Sequence, residues 1–289
     1  MKFVEEDIFG NEIESDAILR NEFIENPFSV LDTRRGEWQH RKQLWKEKGL
    51  KSEVGRKAVS IHIGTKKEVP GTGANYTSIF DPALCEVLYK WFAPDGGKIL
   101  DPFAGGSVRG IVANYLGYKY TGIEIREEQV TSNREQAEKI CPQENRPKWI
   151  IGDSNKVLDK LDEMFDFVFS CPPYGDLETY SNLEGDISNI HNYPDFLKVY
   201  KSIIQKAIQK LKRGGFACFV VGEFRGKDGN FVGFVPDTIK AFMECGLSYY
   251  NEGILLNPVA SASMRARTGM KTKKLTKIHQ NILVFRKPE

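Results

Sequence analysis

The sequence predicts an α/β fold with a doubly wound, mostly parallel sheet, and three observations lead to it. From about residue 97, short apolar runs alternate with helical stretches, which is the pattern that βαβ units produce. A glycine-rich turn joins the first of these strands to the helix that follows. Phe216 to Val221 is apolar at every position, as expected for a strand buried on both faces of a sheet.

The first half of this pattern contains four strands. In chain order we predict the strand 98–100, the helix 111–116, the strand 120–125, the helix 126–140, and the strands 149–151 and 165–169. The three apolar residues 98–100 enter the glycine-rich turn directly. Residues 126–140 carry charged side chains around a weak apolar face, which indicates a surface helix.

The second half begins with a long amphipathic helix. Its apolar residues recur at close to helical spacing from Phe196 to Leu211, so we predict a helix over 193–211 that stops at Gly214 and Gly215. The strand 216–221 follows. Residues 236–245 then form a helix closed by Gly246, and two last strands occupy 248–256 and 281–285.

The first sixty residues differ from this pattern. We predict that residues 1–60 form a basic and partly mobile N-terminal extension, and that residues 61–289 form the main domain. Within the extension, residues 34–56 are basic and contain Trp38 and Trp45. This stretch is either a second contact for nucleic acid or an amphipathic helix that covers the sheet, and both interpretations stay open.

Composition limits the class of protein. The 41 Lys and Arg residues against 39 Asp and Glu give a net charge of +2, so a surface that attracts nucleic acid or membrane as a whole is excluded. No apolar stretch is long enough to span a membrane, and the N-terminus lacks the apolar core of a secretory signal, so a cytoplasmic protein is expected. The five cysteines include no C-x-x-C pair, so neither a disulfide framework nor a metal site is expected.

The strongest local signal is the turn Asp101-Pro-Phe-Ala-Gly-Gly-Ser107, between a strand and a helix. Open α/β sheets bind ligands at the carboxyl ends of their strands, and glycines allow a ligand to approach the backbone. Glu124 ends the next strand, where a carboxylate can accept hydrogen bonds from both hydroxyls of a ribose. Asp153 follows the third strand and suits an adenine amino group, although alone it would be read as a helix N-cap. The spacing predicts a site for a nucleoside without phosphates.

The second signal is Cys171-Pro172-Pro173-Tyr174 at the end of the fourth strand. The two prolines fix the backbone and leave adjacent carbonyl oxygens free to accept hydrogen bonds, and Tyr174 offers a face for stacking on a planar ring. The proline pair could also do no more than end the strand.

Together these motifs resemble those of the S-adenosylmethionine-dependent DNA amino-methyltransferases, which make N6-methyladenine or N4-methylcytosine. The resemblance extends from about Thr77 to Lys287. It implies a Rossmann-like methyltransferase fold, with a seven-stranded sheet and an antiparallel last strand. It also implies S-adenosyl-L-methionine as the cofactor and duplex DNA, with the target base flipped out of the helix, as the substrate.

The resemblance also assigns residues to roles. The cofactor would be bound by Thr77, Ser78, Asp101, Phe103, Ala104, Gly105, Gly106, Glu124, Asp153 and Ser154. The target base and the reaction would fall to Cys171, Pro172, Pro173 and Tyr174. An exocyclic amino nitrogen is a poor nucleophile, so acceptors such as the Pro172 carbonyl must draw on its N–H bonds as it attacks the methyl group.

Cys171 departs from the family, which has Asp, Asn or Ser at this position. A thiol is a weak donor and a weaker acceptor, so it cannot replace a carboxylate in polarising the amine. A covalent cysteine mechanism is a further reading, but in cytosine-C5 enzymes the nucleophile follows the proline instead of preceding it. Ser170 is expected to point to the opposite face of its strand.

A basic segment (residues 257–280) lies between the last two strands and contains no acidic residue. It is predicted either to be a solvated face or to contact the phosphate backbone of DNA. The candidate DNA-binding residues are Arg265, Arg267, Lys271, Lys273, Lys274 and Lys277. Two alternatives to DNA methylation remain open: an amino-methyltransferase acting on RNA or a small molecule, and a DNA-binding protein that keeps the fold without catalysis.

Overall fold

The computed structural model centres on one eight-stranded sheet. It describes residues 3–6, 12–15, 25–52, 60–61, 80–142, 144–174, 178–179, 181–259 and 262–289. The strands in chain order are β1 (Phe3–Glu6), β2 (Glu12–Ser15), β3 (Val30–Asp32), β4 (Ser60–Ile61), β5 (Lys98–Asp101), β6 (Lys119–Glu124), β7 (Lys148–Ile151), β8 (Phe165–Ser170), β9 (Glu178–Thr179), β10 (Leu211–Val221), β11 (Ser248–Leu256) and β12 (His279–Arg286).

The strand order in the large sheet is β3-β11-β12-β10-β8-β5-β6-β7. Its pairs are parallel except those of β12, which runs antiparallel to both β10 and β11. The predicted fold class is therefore confirmed, including the antiparallel last strand. An eighth strand, β3, pairs with β11 at the edge. Three residues are too few to show a strand period, so the sequence did not reveal β3. Two short pairs, β1 with β2 and β4 with β9, lie outside this sheet.

Helices cover both faces of the sheet. They are α1 (Gly36–Glu47), α2 (Pro82–Phe92), α3 (Val108–Tyr115), α4 (Glu127–Ile140), α5 (Ser154–Val157), α6 (Tyr193–Gln209), α7 (Phe234–Glu244) and α8 (Ala262–Met270). One apolar core contains buried residues of α1 to α4, and a second contains buried residues of α6 and α7. In β10, Cys218 and Val220 belong to the first core, whereas Ala217, Phe219 and Val221 belong to the second. This alternation explains why the strand is apolar at every position.

Two predicted boundaries move for reasons outside the local sequence. The helix α7 begins at Phe234 and not at residue 236, because the Glu223 carboxylate accepts hydrogen bonds from the N–H groups of Gly233, Phe234 and Val235. The strand β10 begins at Leu211, since it pairs with β8 across a register shift instead of starting after the glycines.

The stretch that contains Trp38 and Trp45 forms α1, which packs on α2. Both indole rings are buried, and their N–H groups donate to Asp81 and Glu86 at 3.0 Å each. Arg41 forms a buried ion pair with Glu86 at 2.6 Å. The structure thus favours the covering helix over the second nucleic-acid contact. The division of the chain at residue 60 stays a prediction, although α1 and β3 are joined to the main sheet and its helices.

Candidate active site

A cavity lies at the carboxyl edge of the sheet, where the strand order reverses between β5 and β8. Strands β6 and β7 follow on one side of β5, and β8 and β10 lie on the other, so the loops after β5 and β8 diverge at this point. The cavity brings together ten of the fourteen residues predicted for cofactor and base. These are Phe103, Gly105, Gly106, Glu124, Asp153, Ser154, Cys171, Pro172, Pro173 and Tyr174.

The other four predicted residues stand apart. Thr77 and Ser78 lie outside the described residues. Asp101 and Ala104 belong to the glycine turn (residues 101–106), but both are fully buried and neither is among the residues that line the cavity. Their role in cofactor binding stays a prediction. The placement of Asp101 indicates that its carboxylate supports the turn from below.

Asp101 is the centre of a buried polar cluster. Its Oδ2 accepts from Arg109 Nε at 2.5 Å and from the Tyr120 hydroxyl at 2.7 Å, and its Oδ1 accepts from the Ser170 hydroxyl at 2.5 Å. Arg109 Nη2 also donates to the carbonyl oxygens of Phe103 and Ala104. Burial by itself would lower the pKa of Arg109, but the Asp101 carboxylate raises that pKa above its usual value. Ser170 therefore points away from the cavity, as the alternation along β8 predicted.

A second chain of hydrogen bonds holds the top of the glycine turn. Gly105 has a φ of 51°, in the left-handed region that glycine adopts without strain. Its carbonyl oxygen accepts from Asn133, which accepts from Gln129, which in turn accepts from Arg126. Arg126 is buried and forms an ion pair with Glu124 at 3.2 Å. The turn after β5 and the carboxylate after β6 are thus positioned by one network.

One carboxylate oxygen of Glu124 accepts hydrogen bonds from the protein, and the other is available to a ligand. Its Oε1 accepts from both the backbone N–H and Nε of Arg126. No group in the described part of the chain hydrogen-bonds to Oε2, and the side chain lines the cavity. Burial raises the pKa of Glu124 despite the neighbouring Arg126, and the charge of Asp186 adds to the rise.

Asp153 caps a helix and also lines the cavity, while its role toward an adenine amino group stays a prediction. Its Oδ1 accepts from the N–H of Asn155 at 2.8 Å and so caps α5, while the side chain also lines the cavity. A Cβ placed on Gly185 would lie 3.1 Å from Asp153 Oδ2, so the loop after the Pro-Pro motif packs directly against this carboxylate. In that loop, Asp186 accepts from Ser181 and from both the N–H and the hydroxyl of Ser188. Asp186 therefore orders the loop.

The Pro-Pro loop (residues 171–174) forms the other wall of the cavity. Cys171 Sγ lies 3.9 Å from the Tyr174 hydroxyl, and Gln280 of β12 donates to that hydroxyl at 2.7 Å. The Tyr174 ring packs edge-on against Phe234 of α7, with 5.9 Å between the ring centroids. The orientation of Tyr174 is thus fixed from two sides by elements far away in sequence.

The basic segment contains α8. Some of its candidate DNA-binding cations are exposed, and others are half-buried. Arg267, Lys271 and Lys273 are exposed, Lys274 is half-buried, and the side chain of Arg265 lies outside the described residues. Lys277 is half-buried and donates to Asn281 Oδ1 at 2.9 Å, and burial lowers its pKa. Lys277 is therefore engaged within the fold, whereas phosphate contacts by the exposed cations stay a prediction.

Three residues of this site were not identified from the sequence. Arg109 stands in an otherwise apolar helix start, a signal that could have revealed a buried ion pair. Arg126 follows Glu124 by two residues and could have been noted as its partner. Gln280 lies 106 positions from Tyr174, and nothing in the local sequence connects the two.

Two kinds of feature are missing from the part of the chain that the structure describes. No group of three or more His, Cys, Asp or Glu residues in that part of the chain is placed to hold a metal ion. None of its helices combines the length and apolar character required to cross a membrane.

The strand order and the site at its switch point define a Rossmann-like fold of the methyltransferase type. Residues 15–135 match the family model N6_N4_Mtase, described as DNA methylase. This match confirms the recognised resemblance over a span that includes the glycine turn and Glu124. The span is less than half of the chain and ends before Asp153 and the Pro-Pro loop. No curated protein matches the chain in sequence.

Several solved structures are similar at low identity. TrmN from Thermus thermophilus aligns with a TM-score of 0.48 and 13% identity, over 72% of this chain and 49% of that chain. Magnesium protoporphyrin IX methyltransferase from Synechocystis PCC 6803, with bound SAM, aligns with a TM-score of 0.44 and 14% identity. The alignment covers 71% of this chain and 76% of that chain. A SAM-dependent methyltransferase from Methanosarcina mazei aligns with a TM-score of 0.46 and 15% identity, over 70% of this chain and 97% of that chain. The present chain thus spans about half the length of TrmN.

Proposed function

We propose that this protein transfers a methyl group from S-adenosyl-L-methionine to the exocyclic amino group of a base in DNA, either N6 of adenine or N4 of cytosine. The observation that carries the proposal is the meeting of the glycine turn, Glu124, Asp153 and the Pro-Pro loop in one cavity at the switch point of the sheet. The DNA methylase match over residues 15–135 supports it independently.

The polar groups on the cofactor side fit the chemistry of this molecule. The open Oε2 of Glu124 suits the ribose hydroxyls, and Asp153 suits the adenine amino group. The backbone of Gly105 and Gly106 borders the same cavity and lets a ligand approach closely. When bound, S-adenosyl-L-methionine supplies the methyl group on a sulfonium, which leaves as a neutral thioether.

The residues on the base side would act on the attacking nitrogen. The Tyr174 ring, held by Gln280, stacks on the flipped base, and the Pro172 carbonyl accepts a hydrogen bond from the amino group. This bond increases electron density on the nitrogen as it forms its bond to the methyl carbon. The nitrogen then loses one proton to solvent. A flipped base is required because the amino group is otherwise engaged in base pairing.

The Glu124 ionisation predicts how cofactor affinity depends on pH. Protonation removes the charged acceptor, and burial raises the pKa of Glu124, so affinity should fall as pH is lowered through a range where an ordinary Glu is still ionised. Titration calorimetry with S-adenosylhomocysteine between about pH 8 and pH 5 measures this. The variant Glu124→Gln should bind more weakly with a flatter profile. An equally steep profile in that variant would assign the titration to another group.

The weak hydrogen-bonding capacity of a thiol predicts a small effect at Cys171. If the Pro172 carbonyl carries the polarisation, Cys171→Ala should lower the methylation rate by less than about tenfold, a barrier change of about 1.4 kcal/mol. Single-turnover methyl transfer measures the rate. Complete loss of activity, with cofactor binding retained, would instead favour a covalent role for the Cys171 thiolate.

The experiment that tests the proposed function identifies the product. The purified protein is incubated with unmethylated duplex DNA and S-adenosyl-L-methionine, and the DNA is digested to nucleosides for mass analysis. We expect N6-methyladenine or N4-methylcytosine, and the product identifies the target base. Cofactor binding without any modified nucleoside would contradict the proposal, and a parallel incubation with RNA would test the RNA alternative.

A further inference from the structure

A short hairpin (residues 222–233) leaves the sheet beside the predicted base site. Gly222, at its start, lies against Tyr174, since a Cβ placed there would be 3.6 Å from the Tyr174 Cζ and hydroxyl atoms. Phe224 accepts from the N–H of Val232 at 3.1 Å, and Arg225 pairs with Phe231 as an antiparallel bridge. The Glu223 carboxylate ties the hairpin to the start of α7. The hairpin is therefore a defined projection and not a loose loop.

The hairpin has one aromatic side chain turned inward and one turned outward. Phe224 is buried and packs against Phe234 of α7, with 5.8 Å between ring centroids. Phe231 is 53% exposed. The Arg225 guanidinium lies 4.0 Å from the centroid of the Phe231 ring, and its Nη1 donates to the carbonyl oxygen of Gly229. The outward ring is thus fixed in place by a cation–π contact instead of by a hydrophobic core.

The hairpin touches the basic segment and extends its charge. The Lys274 ammonium lies in the space that a side chain on Gly229 would occupy. Arg225 and Lys227 add positive charge on the hairpin, and Asp228, the one acidic residue between 224 and 233, bonds to Asn230. Cations of this kind, placed around an exposed ring, match the phosphate backbone and stacked bases of a nucleic acid.

We propose that Phe231 stacks, through the ring face that Arg225 leaves open, on a base of duplex DNA at the place that the flipped target base leaves, while Arg225 supports the other face of the ring and the neighbouring cations contact phosphates. The inference rests on the proposed DNA methylation and deepens it, because it selects duplex DNA as the substrate. Extruding a base removes its stacking on the neighbouring bases, and an inserted aromatic ring restores part of that stacking. The hairpin begins beside Tyr174, at Gly222, and this origin next to the predicted base site fits the role.

The test compares duplex and single-stranded DNA as methyl acceptors. A single strand has no stack to refill, so Phe231→Ala should lower the methylation rate of duplex DNA by roughly tenfold or more and that of the same DNA as separated strands by less than about twofold. Phe231→Trp should keep the duplex rate. The matched control is Tyr250→Ala, which removes a ring that is 51% exposed and packs on Phe216, away from the hairpin.

The outcomes separate this inference from the proposed function. Equal losses on duplex and single strands, or no loss on either, would overturn the role of Phe231 while leaving DNA methylation in place. If the wild-type protein methylates neither DNA, both proposals fail together. The melting temperature of Phe231→Ala should match that of the wild type, because the ring is exposed. If the melting temperature falls strongly and the methylation rates of duplex and single-stranded DNA fall equally, the role of Phe231 is structural.

Discussion

Replacement of Arg109 by methionine is expected to lower the free energy of unfolding by about 3–5 kcal/mol. The guanidinium is buried and pairs with Asp101, which is fully buried itself, so its removal leaves a carboxylate with no neutralising cation. Chemical denaturation followed by circular dichroism measures the change. The control is Lys240→Met, which removes an exposed ion pair with Glu244 at 3.8 Å and should cost less than about 1 kcal/mol.

A second variant shows whether the lower free energy of unfolding of Arg109→Met comes from the unpaired charge of Asp101. Asp101→Asn removes the carboxylate charge and keeps one acceptor oxygen for the hydroxyl of Tyr120 or Ser170, while its amide nitrogen can donate to the oxygen of the other hydroxyl. The double variant Arg109→Met/Asp101→Asn should therefore be more stable than Arg109→Met alone. If the losses of stability in the two single variants simply add in the double variant, this explanation is contradicted. Packing of the Arg109 side chain would then dominate.

The second large effect is expected at Glu124, on cofactor affinity. Glu124→Ala should weaken the binding of S-adenosylhomocysteine by roughly 100-fold, since hydrogen bonds to a charged acceptor contribute about 1.5–3 kcal/mol each. The exposed Glu128 on α4 provides the control, because Glu128→Ala removes the same side chain outside the cavity. Calorimetric titration measures both variants.

Glu124→Ala also affects Arg126, and a measurement of stability separates this effect from the effect on cofactor affinity. Glu124→Ala leaves the buried Arg126 without its ion pair, so the melting temperature should fall as well. Glu124→Gln keeps an acceptor for Arg126 and should separate the two effects, with a smaller loss of stability. Unchanged affinity in the alanine variant, at a temperature where it is folded, would show that Glu124 has a structural role only.

The sequence predicted those features that depend on local pattern. The alternation of strands and helices gave the sheet, and the residues that follow β5, β6, β7 and β8 met in one cavity because parallel strands end at the same edge. The sequence could not predict contacts between distant segments. Gln280 bonding to Tyr174 depends on the tertiary arrangement, and so does Glu223 capping α7 across the hairpin; Arg109 differs, because its place in an apolar helix start was a local signal for the ion pair with Asp101.

Asp101 shows the limit of motif reasoning at a single residue. The motif predicts a role for it at a ligand site, which stays a prediction, and the structure shows its carboxylate buried and bonded to three other elements of the fold. A motif records which residues occur together and does not state which of them touch a ligand. The half-buried Lys277 illustrates the same point within the basic segment, where composition alone could not separate it from the exposed cations.

The switch point between β5 and β8 also divides the cavity along the chain. The side assigned to the cofactor is built from residues 101–154, and the side assigned to the base from residues 171–174 with support from residues 222–234 and 280. The two sides face each other across the cavity, and the hydrogen bond from Ser170, the residue before the Pro-Pro loop, to Asp101 joins them beneath it. Under the proposed function, substitutions in the second half could therefore redirect the enzyme to a different base or sequence during evolution while the methyl-donor site stays intact.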